Sequence, residues 1–379
     1  MTEPNLYDVA IIGGGLAGLS LSIQLGKMGH RVILIEKETY PFHKVCGEYI
    51  SMESWPFLQS IGLPLQDMEL PLIKKLQVTA PDGTALDVPL PLGGFGISRY
   101  RLDAMLRDIA LKNNVDVREN CKVTDVDFAN EQFSIQTSTG NLYSKICCGC
   151  YGKKSNLDVK WKRPFTLNQS RKLNQYTGIK YHVETDFPVD VIALHNFKNG
   201  YCGISKIEGN RYCLCYLTHT DNLKYSGQSI EKMEENILSA NPHLKLLFRN
   251  STKVFATPVS ISQISFLKKN QVENHVLLLG DAAGLITPLC GNGMSIALHT
   301  SKIAAGFMSL FLTTKLSRTE MERAYATQWN SHFAARLRAG RWIQFFFGKE
   351  IVTNIFVKLM KRIPALTTWL IKQTHGKPF

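Results

Sequence analysis

Three glycines and one acid carry the first chemical signal in this chain. Gly13, Gly15 and Gly18 form G-x-G-x-x-G directly after the apolar run Val9 to Ile12, and Glu36 ends a second apolar run, Val32 to Ile35. Each residue type has a task at a dinucleotide. Gly13 permits a tight turn, Gly15 lets backbone N–H groups approach a pyrophosphate, and Gly18 lets a helix lie close on its strand. Leu16 and Ala17 open that helix, expected over Leu16 to Met28, whose unpaired N–H groups and partial positive charge face the phosphates. Glu36 would accept hydrogen bonds from a ribose diol and repel a 2′-phosphate. Strand, helix, second strand and acid, in that order, point to an adenine dinucleotide.

A second constellation lies far along the chain. Val276 to Leu279 reads as a buried strand that runs into Gly280-Asp281-Ala282-Ala283-Gly284, then Pro288, Gly291-Asn292-Gly293 and a long helix from Met294 to Leu312. Between the two, the loop Pro41 to Glu48 offers His43, Lys44, Cys46 and Glu48. A thiol there is either a proton donor or a small buried residue, and His43 and Glu48 are either proton donors or solvated loop residues. Arg99 stands at the start of an amphipathic helix expected over Ser98 to Asn113, placed to meet phosphate or a nearby acid. Tyr201 faces a substrate or is plain sheet surface.

These residues need a scaffold, and 379 residues allow two packed domains with ample core. Short strands are expected at Lys75 to Ala80 and Ala85 to Val88 about the turn Pro81-Asp82-Gly83-Thr84, with others at Val115, Val123, Phe133 and Tyr143. Gly178 to Leu217 reads as an antiparallel sheet distinct from the first layer, followed by a helix at Ile230 to Ala240. The fold class is α/β: a Rossmann-like domain over 1–74, 99–160 and 272–330, an inserted antiparallel-sheet substrate domain over 75–98 and 161–271, and a helical C-terminal segment over 331–379. No segment reaches the roughly 20 uncharged apolar residues that span a bilayer.

Composition excludes some classes. At 44% hydrophobic and 20% charged the chain is an ordinary globular protein. Nine cysteines without a framework and no signal peptide suggest a reducing, cytoplasmic setting. Cys147 and Cys150 form a lone C-x-x-C in an expected strand, where packing outweighs zinc or redox work; no metal is expected. The net charge of +13 is uneven. Residues 151–180 carry eight Lys/Arg against Asp158, and 336–379 carry nine against Glu350. Such patches suit phosphates, anionic lipid at a membrane surface or an acidic carrier protein, or are merely solvated faces. No recognised module supports nucleic acid. From Trp342 to Ile363 large apolar groups recur at roughly helical spacing among lysines, as in a helix lying on a membrane or packed on the core.

The second constellation resembles the second FAD motif of the p-hydroxybenzoate hydroxylase-like flavoproteins. The resemblance implies FAD, with Asp281 at the ribityl chain and the helix that Gly293 and Met294 begin facing the flavin. Within that superfamily the chain is closest to geranylgeranyl reductase-like enzymes, through Lys44-Val45-Cys46-Gly47-Glu48 and through Arg99. The cofactor set so implied is Gly13, Gly15, Leu16, Ala17, Gly18, Glu36 and Lys37 at the first motif. Lys44, Cys46, Arg99, Val123 and Gly152 follow between the motifs. Gly280, Asp281, Pro288, Gly291, Asn292, Gly293 and Met294 complete it at the second. Cys46 and Tyr201 are the catalytic candidates. Three departures stand out. Tyr151 replaces the acid of the superfamily's Asp-Gly motif, which bears on direct use of NADPH or NADH. The reductases' aromatic substrate motif keeps only Tyr201. The Trp-x-Trp-x-Ile-Pro element of flavin halogenases is absent.

The resulting expectation is an FAD-dependent oxidoreductase of a hydrophobic, aromatic or carrier-bound substrate that reduces a carbon–carbon double bond. The alternative is a monooxygenase that inserts oxygen through a flavin hydroperoxide. A catalytically lapsed flavin-bound partner protein ranks last.

Overall fold

The computed structural model describes residues 6–167, 175–286, 292–363, 367, 370 and 376–379, with the side chains of 343–346 outside that description. The strand Leu6–Ile12 lies at the centre of an eight-stranded sheet and pairs in parallel with Val32–Ile35 on one side and Gly140–Gly149 on the other. Asp116–Arg118 and Val276–Leu278 extend the parallel row outward. Continuous apolar runs such as Val9 to Ile12 suit strands covered on both faces, and these four residues are buried.

Register matters more than strand order. Ile12 is level with Ile35 and with Gly149, and Gly149 is level with Leu278. Four strands therefore end in one row, and the next residues of each enter a loop on the same edge. Backbone bonds carry the row one step further: Gly13 N donates to Ile35 O at 2.8 Å, Cys150 N to Ile12 O at 2.7 Å and Leu279 N to Gly149 O at 3.0 Å. In open α/β sheets this carboxyl edge is where ligands sit.

Two helices cover one face. Leu16–Lys27 packs against Gly293–Leu312, and Ser20 Oγ reaches Ser301 Oγ at 2.7 Å between them. The helix Arg318–Phe346 closes this layer with Met321, Tyr325, Trp329, Phe333 and Leu337, buried at steps of four along one stripe. Its Tyr325 hydroxyl donates to Leu278 O at 2.6 Å. Gly293–Leu312 is mostly apolar, with Lys302 its one Lys, Arg, Asp or Glu. It is 20 residues long with a mean hydropathy of 1.3, enough by length and composition to cross a bilayer. Its apolar character has another use, since Met294, Ile296, Leu298, Ala304, Ala305 and Met308 are buried in the main core.

The second sheet has nine strands. Tyr176–Glu184, Tyr212–His219, Gly200–Lys206 and Val191–Phe197 form an antiparallel run, as the alternation suggests. Val191–Phe197 then pairs in parallel with Leu72–Thr79, a junction the sequence did not disclose. Leu72–Thr79 pairs with the long strand Ala85–Gly96, which returns to Tyr49–Ser51, directly after the Cys46 loop. The Cys46 loop thus links the two sheets. The helix Arg99–Lys112 follows, with Ser98 as its cap accepting from Arg101 N at 3.1 Å. Beyond Arg318–Phe346 a final helix, Glu350–Arg362, lies on the second sheet.

Candidate functional site

A cavity of about 990 Å³ runs along the carboxyl edge and under the second sheet. That is the upper end of the roughly 300–1,000 Å³ that ligand sites occupy. Both glycine-rich turns open into it: Gly13, Gly15, Leu16, Ala17, Glu36 and Lys37 from the first, and Gly280, Asp281, Gly293 and Met294 from the second. Lys44, Cys46, Arg99, Val123, Gly152 and Tyr201 also line it. Gly18 and Asn292 do not; both are buried behind the wall. Pro288 and Gly291 lie outside the described residues.

The glycines differ in what constrains them. Gly13 has φ +103°, and a Cβ there would lie 2.6 Å from Cys150 O. A Cβ on Gly18 would strike the Gly13 carbonyl, so this residue serves helix–strand packing. Gly15 is extended, and a Cβ on it would meet only Arg99 Nη2 at 3.6 Å and Lys44 Nζ at 3.9 Å. The protein leaves that space open between two cations at a helix N-terminus, which is what a bound pyrophosphate requires. A Cβ on Gly280 would lie 3.4 Å from the Cβ of Ala17, so the two turns meet directly. These features fit FAD.

The cations are held by acids. Arg99 grips Asp103 with Nε and Nη2, each at 2.7 Å, and Lys44 Nζ lies 3.1 Å from Asp103 Oδ2. Burial alone would raise the Asp103 carboxyl, but the charges of Arg99 and Lys44 outweigh it and hold the pKa down. Glu36 is fixed by backbone: Gly14 N donates to Oε2 at 2.8 Å and Glu38 N to Oε1 at 3.1 Å. The Tyr40 hydroxyl, which the sequence did not flag, donates to Gly14 O at 2.5 Å and braces the turn.

The Cys46 loop is braced from behind by the second sheet. Glu48 sits at φ +55° with a fully buried side chain. Lys180 Nζ donates to its Oε1 at 2.5 Å, His182 Nε2 lies 2.6 Å from its Oε2, and Arg99 N donates to Oε1 at 2.7 Å. Lys180 also reaches Lys44 O at 3.2 Å, Cys213 Sγ reaches Cys46 O at 3.2 Å and Ser205 Oγ reaches Gly47 O at 3.3 Å. Desolvation works against the Glu48 carboxylate, yet the Lys180 charge and the His182 contact bring its pKa down to about 2. Cys46 itself is half-buried, its Sγ 3.5 Å from Met294 Sδ at the head of the second-motif helix. Sequence reasoning missed Lys180, His182 and Cys213 because a strand residue gives no sign of the loop it will touch. Glu48, His182 and Cys213 stand close enough to hold a metal, all within 4.8 Å of one another. The Lys180 ammonium on Glu48 already supplies the positive charge, so the cluster is read as an ion pair.

Where the resemblance expects an acid, Tyr151 donates its hydroxyl to Asp158 Oδ1 at 3.0 Å, and Arg163 pins the same oxygen at 2.7 Å. Arg163 also donates to Ala282 O at 3.1 Å, tying this turn to the second motif. Lys153 Nζ lies 3.4 Å from Asp281 Oδ2, and Lys269 Nζ donates to Asp281 O at 2.8 Å. Cys147 and Cys150 are buried among apolar groups, and desolvation raises both thiols, as packing residues would show. Among the described residues every cysteine is a free thiol.

A family profile described as FAD binding domain matches residues 6–305. The chain belongs to that family. It is an FAD-dependent enzyme of the p-hydroxybenzoate hydroxylase-like superfamily. Its relatives are distant. It is 22% identical to conditioned medium factor receptor 1 of Dictyostelium discoideum, over 99% of this chain and 78% of that protein. It is 25% identical to digeranylgeranylglycerophospholipid reductase of Methanococcus vannielii, over 85% of this chain and 82% of the relative. The fold is similar to that of the flavin-dependent brominase Bmp2, with a TM-score of 0.78 at 20% identity, over 97% of this chain and 93% of the other.

Proposed function

We propose that this flavoenzyme reduces a carbon–carbon double bond, or a related unsaturated group, in an apolar or carrier-bound substrate. One observation carries the reading: the cavity that begins at the two glycine turns ends in an apolar wall. Ile192, Leu194, Leu217, Ile261, Ile264 and Leu285 line that far end, with Tyr201 among them. A small charged metabolite gains nothing from such a wall, whereas a polyprenyl or aromatic group buries its surface there. FAD, when bound, supplies the redox reactivity, and the protein supplies position and exclusion of water. Gly15, Lys44 and Arg99 hold the phosphates, Glu36 the ribose, and the N-terminus of Gly293–Leu312 faces developing negative charge. In this reading Cys46, which lines the cavity, gives a proton to a substrate carbanion. The similarity to digeranylgeranylglycerophospholipid reductase supports this direction.

The test is anaerobic. Purified protein is reduced with NADH, NADPH or a chemical donor, then mixed with an unsaturated polyprenyl chain while visible absorbance is followed. Return of the oxidised spectrum with appearance of the saturated product is the expected result. Reoxidation by oxygen alone, with an oxygen atom recovered in the product, would make the enzyme a monooxygenase instead.

A further inference from the structure

The helix Glu350–Arg362 has two apolar faces, and among the described residues only one is packed against the rest of the protein. Thr353, Val357 and Met360 are buried, and Val357 packs on Val78 and Ala80 of the second sheet. On the opposite side Ile351 is 76% exposed, Ile355 62% and Leu359 45%, and Ile363, the residue that caps the helix, is 42% exposed. Steps of four residues keep these side chains within an arc of about 120° at 3.6 residues per turn. Four large aliphatic groups in one exposed stripe lie together, where exposed apolar residues on a monomer are ordinarily scattered singly.

Charge decides what covers the stripe. Residues 336–379 hold nine Lys/Arg against Glu350 alone, and Lys361 and Arg362 are exposed in the last turn of this helix. A second copy would bring like charge against like. An anionic surface with an apolar interior complements both features at once, as in helices that lie in a bilayer interface.

The placement adds a reason. Phe347, just before this helix, packs into the apolar cluster of Leu194, Tyr201, Leu217, Ile264 and Leu285, all of which line the far end of the cavity. Phe347 also meets Phe356 of the helix, ring centroids 6.0 Å apart, and Asn199 N donates to Gly348 O at 2.7 Å. The helix that carries the exposed stripe is therefore joined through Phe356 and Phe347 to the wall proposed to receive substrate.

We infer that the stripe Ile351, Ile355, Leu359 and Ile363, with Lys361 and Arg362, docks this protein on an anionic membrane surface. The inference goes beyond the reaction type and does not need it. Its experiment reads no turnover: the full-length holoprotein is sedimented with phosphatidylcholine vesicles and with vesicles containing phosphatidylglycerol. The protein is expected to pellet with the anionic vesicles alone. Ile351→Glu/Ile355→Glu is expected to lower that partition at least about tenfold by placing charge on the inserted face. Lys361→Glu/Arg362→Glu is expected to lower it less, and the wild-type partition to weaken as salt rises. Both variants change exposed side chains, and an unchanged visible spectrum and melting midpoint confirm their fold. Wild-type protein remaining in the supernatant with both vesicles overturns the inference, as does equal binding by the isoleucine variant. A dimer in light scattering that Ile351→Glu dissolves would assign the face to a second copy and overturn it too.

Discussion

The two ends of the cavity are built on different principles. At the nucleotide end, backbone does the work: Gly13 turns at φ +103°, Gly15 leaves open space, and Glu36 is held by two backbone N–H groups. At the far end, apolar side chains from three strands and a loop, spread between Ile192 and Leu285, make a wall with few directional contacts. The difference teaches that backbone chemistry leaves a residue-by-residue signature, while a packed wall can be rebuilt from many hydrophobic combinations. Between the ends stands the Glu48 cluster, which belongs to neither principle: a charge pair spanning loop and sheet.

The hardest blow to this division falls on that bridge. Lys180→Met strips the cation from a carboxylate with no exposure, and unfolding in urea should register a loss of about 3–5 kcal/mol. Adding Glu48→Gln should recover much of it; a Lys180→Met protein as stable as wild type would show that the two ends do not depend on the strut. The same group sets an acid limb. Glu48 titrates at about 2 in the fold against 4.5 as an ordinary carboxyl, so its contribution is complete above 4.5 and lost as pH falls toward 2. Glu48→Gln should flatten stability against pH in that window, measured by urea midpoints.

A paired glycine experiment sharpens the contrast at the nucleotide end. Gly13→Ala forces a Cβ into the Cys150 carbonyl at positive φ and should cost about 1–3 kcal/mol even without cofactor. Gly15→Ala has room, so melting of the apoprotein should hardly change while FAD affinity falls about tenfold, or ~1.4 kcal/mol. Equal behaviour of the two variants would erase the distinction between a turn that folds and a turn that binds. The smallest effect is expected at the far end, where Tyr201→Phe should alter KM for an apolar substrate by no more than about tenfold with FAD titration unchanged. A loss of flavin in that variant would move Tyr201 to the nucleotide end.

Legibility in the sequence followed the same line. The glycine spacing, Glu36 and Gly280-Asp281 were readable because local conformation demands those residue types, and one cavity gathers them. Tyr40, Lys180 and His182 were not. Their partners lie 26, 132 and 134 positions away, and no local pattern encodes such a distance. The helix Gly293–Leu312 has the length and hydropathy of a membrane span, yet folding buries its Met294, Ile296, Leu298, Ala304, Ala305 and Met308 in the main core, which composition alone does not tell.

Sequence alone determined that a dinucleotide would be held by two glycine-rich turns, since each needs a positive φ, at Gly13 and at Gly280, that glycine adopts at no cost. Tertiary structure decided that the turns share one cavity, because Ile12, Ile35, Gly149 and Leu278 fall in one row of parallel register. It also decided that the Cys46 loop rests on a buried ion pair and that one helix keeps an apolar face outward. Each depends on which surfaces meet when the chain closes, and burial is a property of the whole fold that no local stretch of residues fixes.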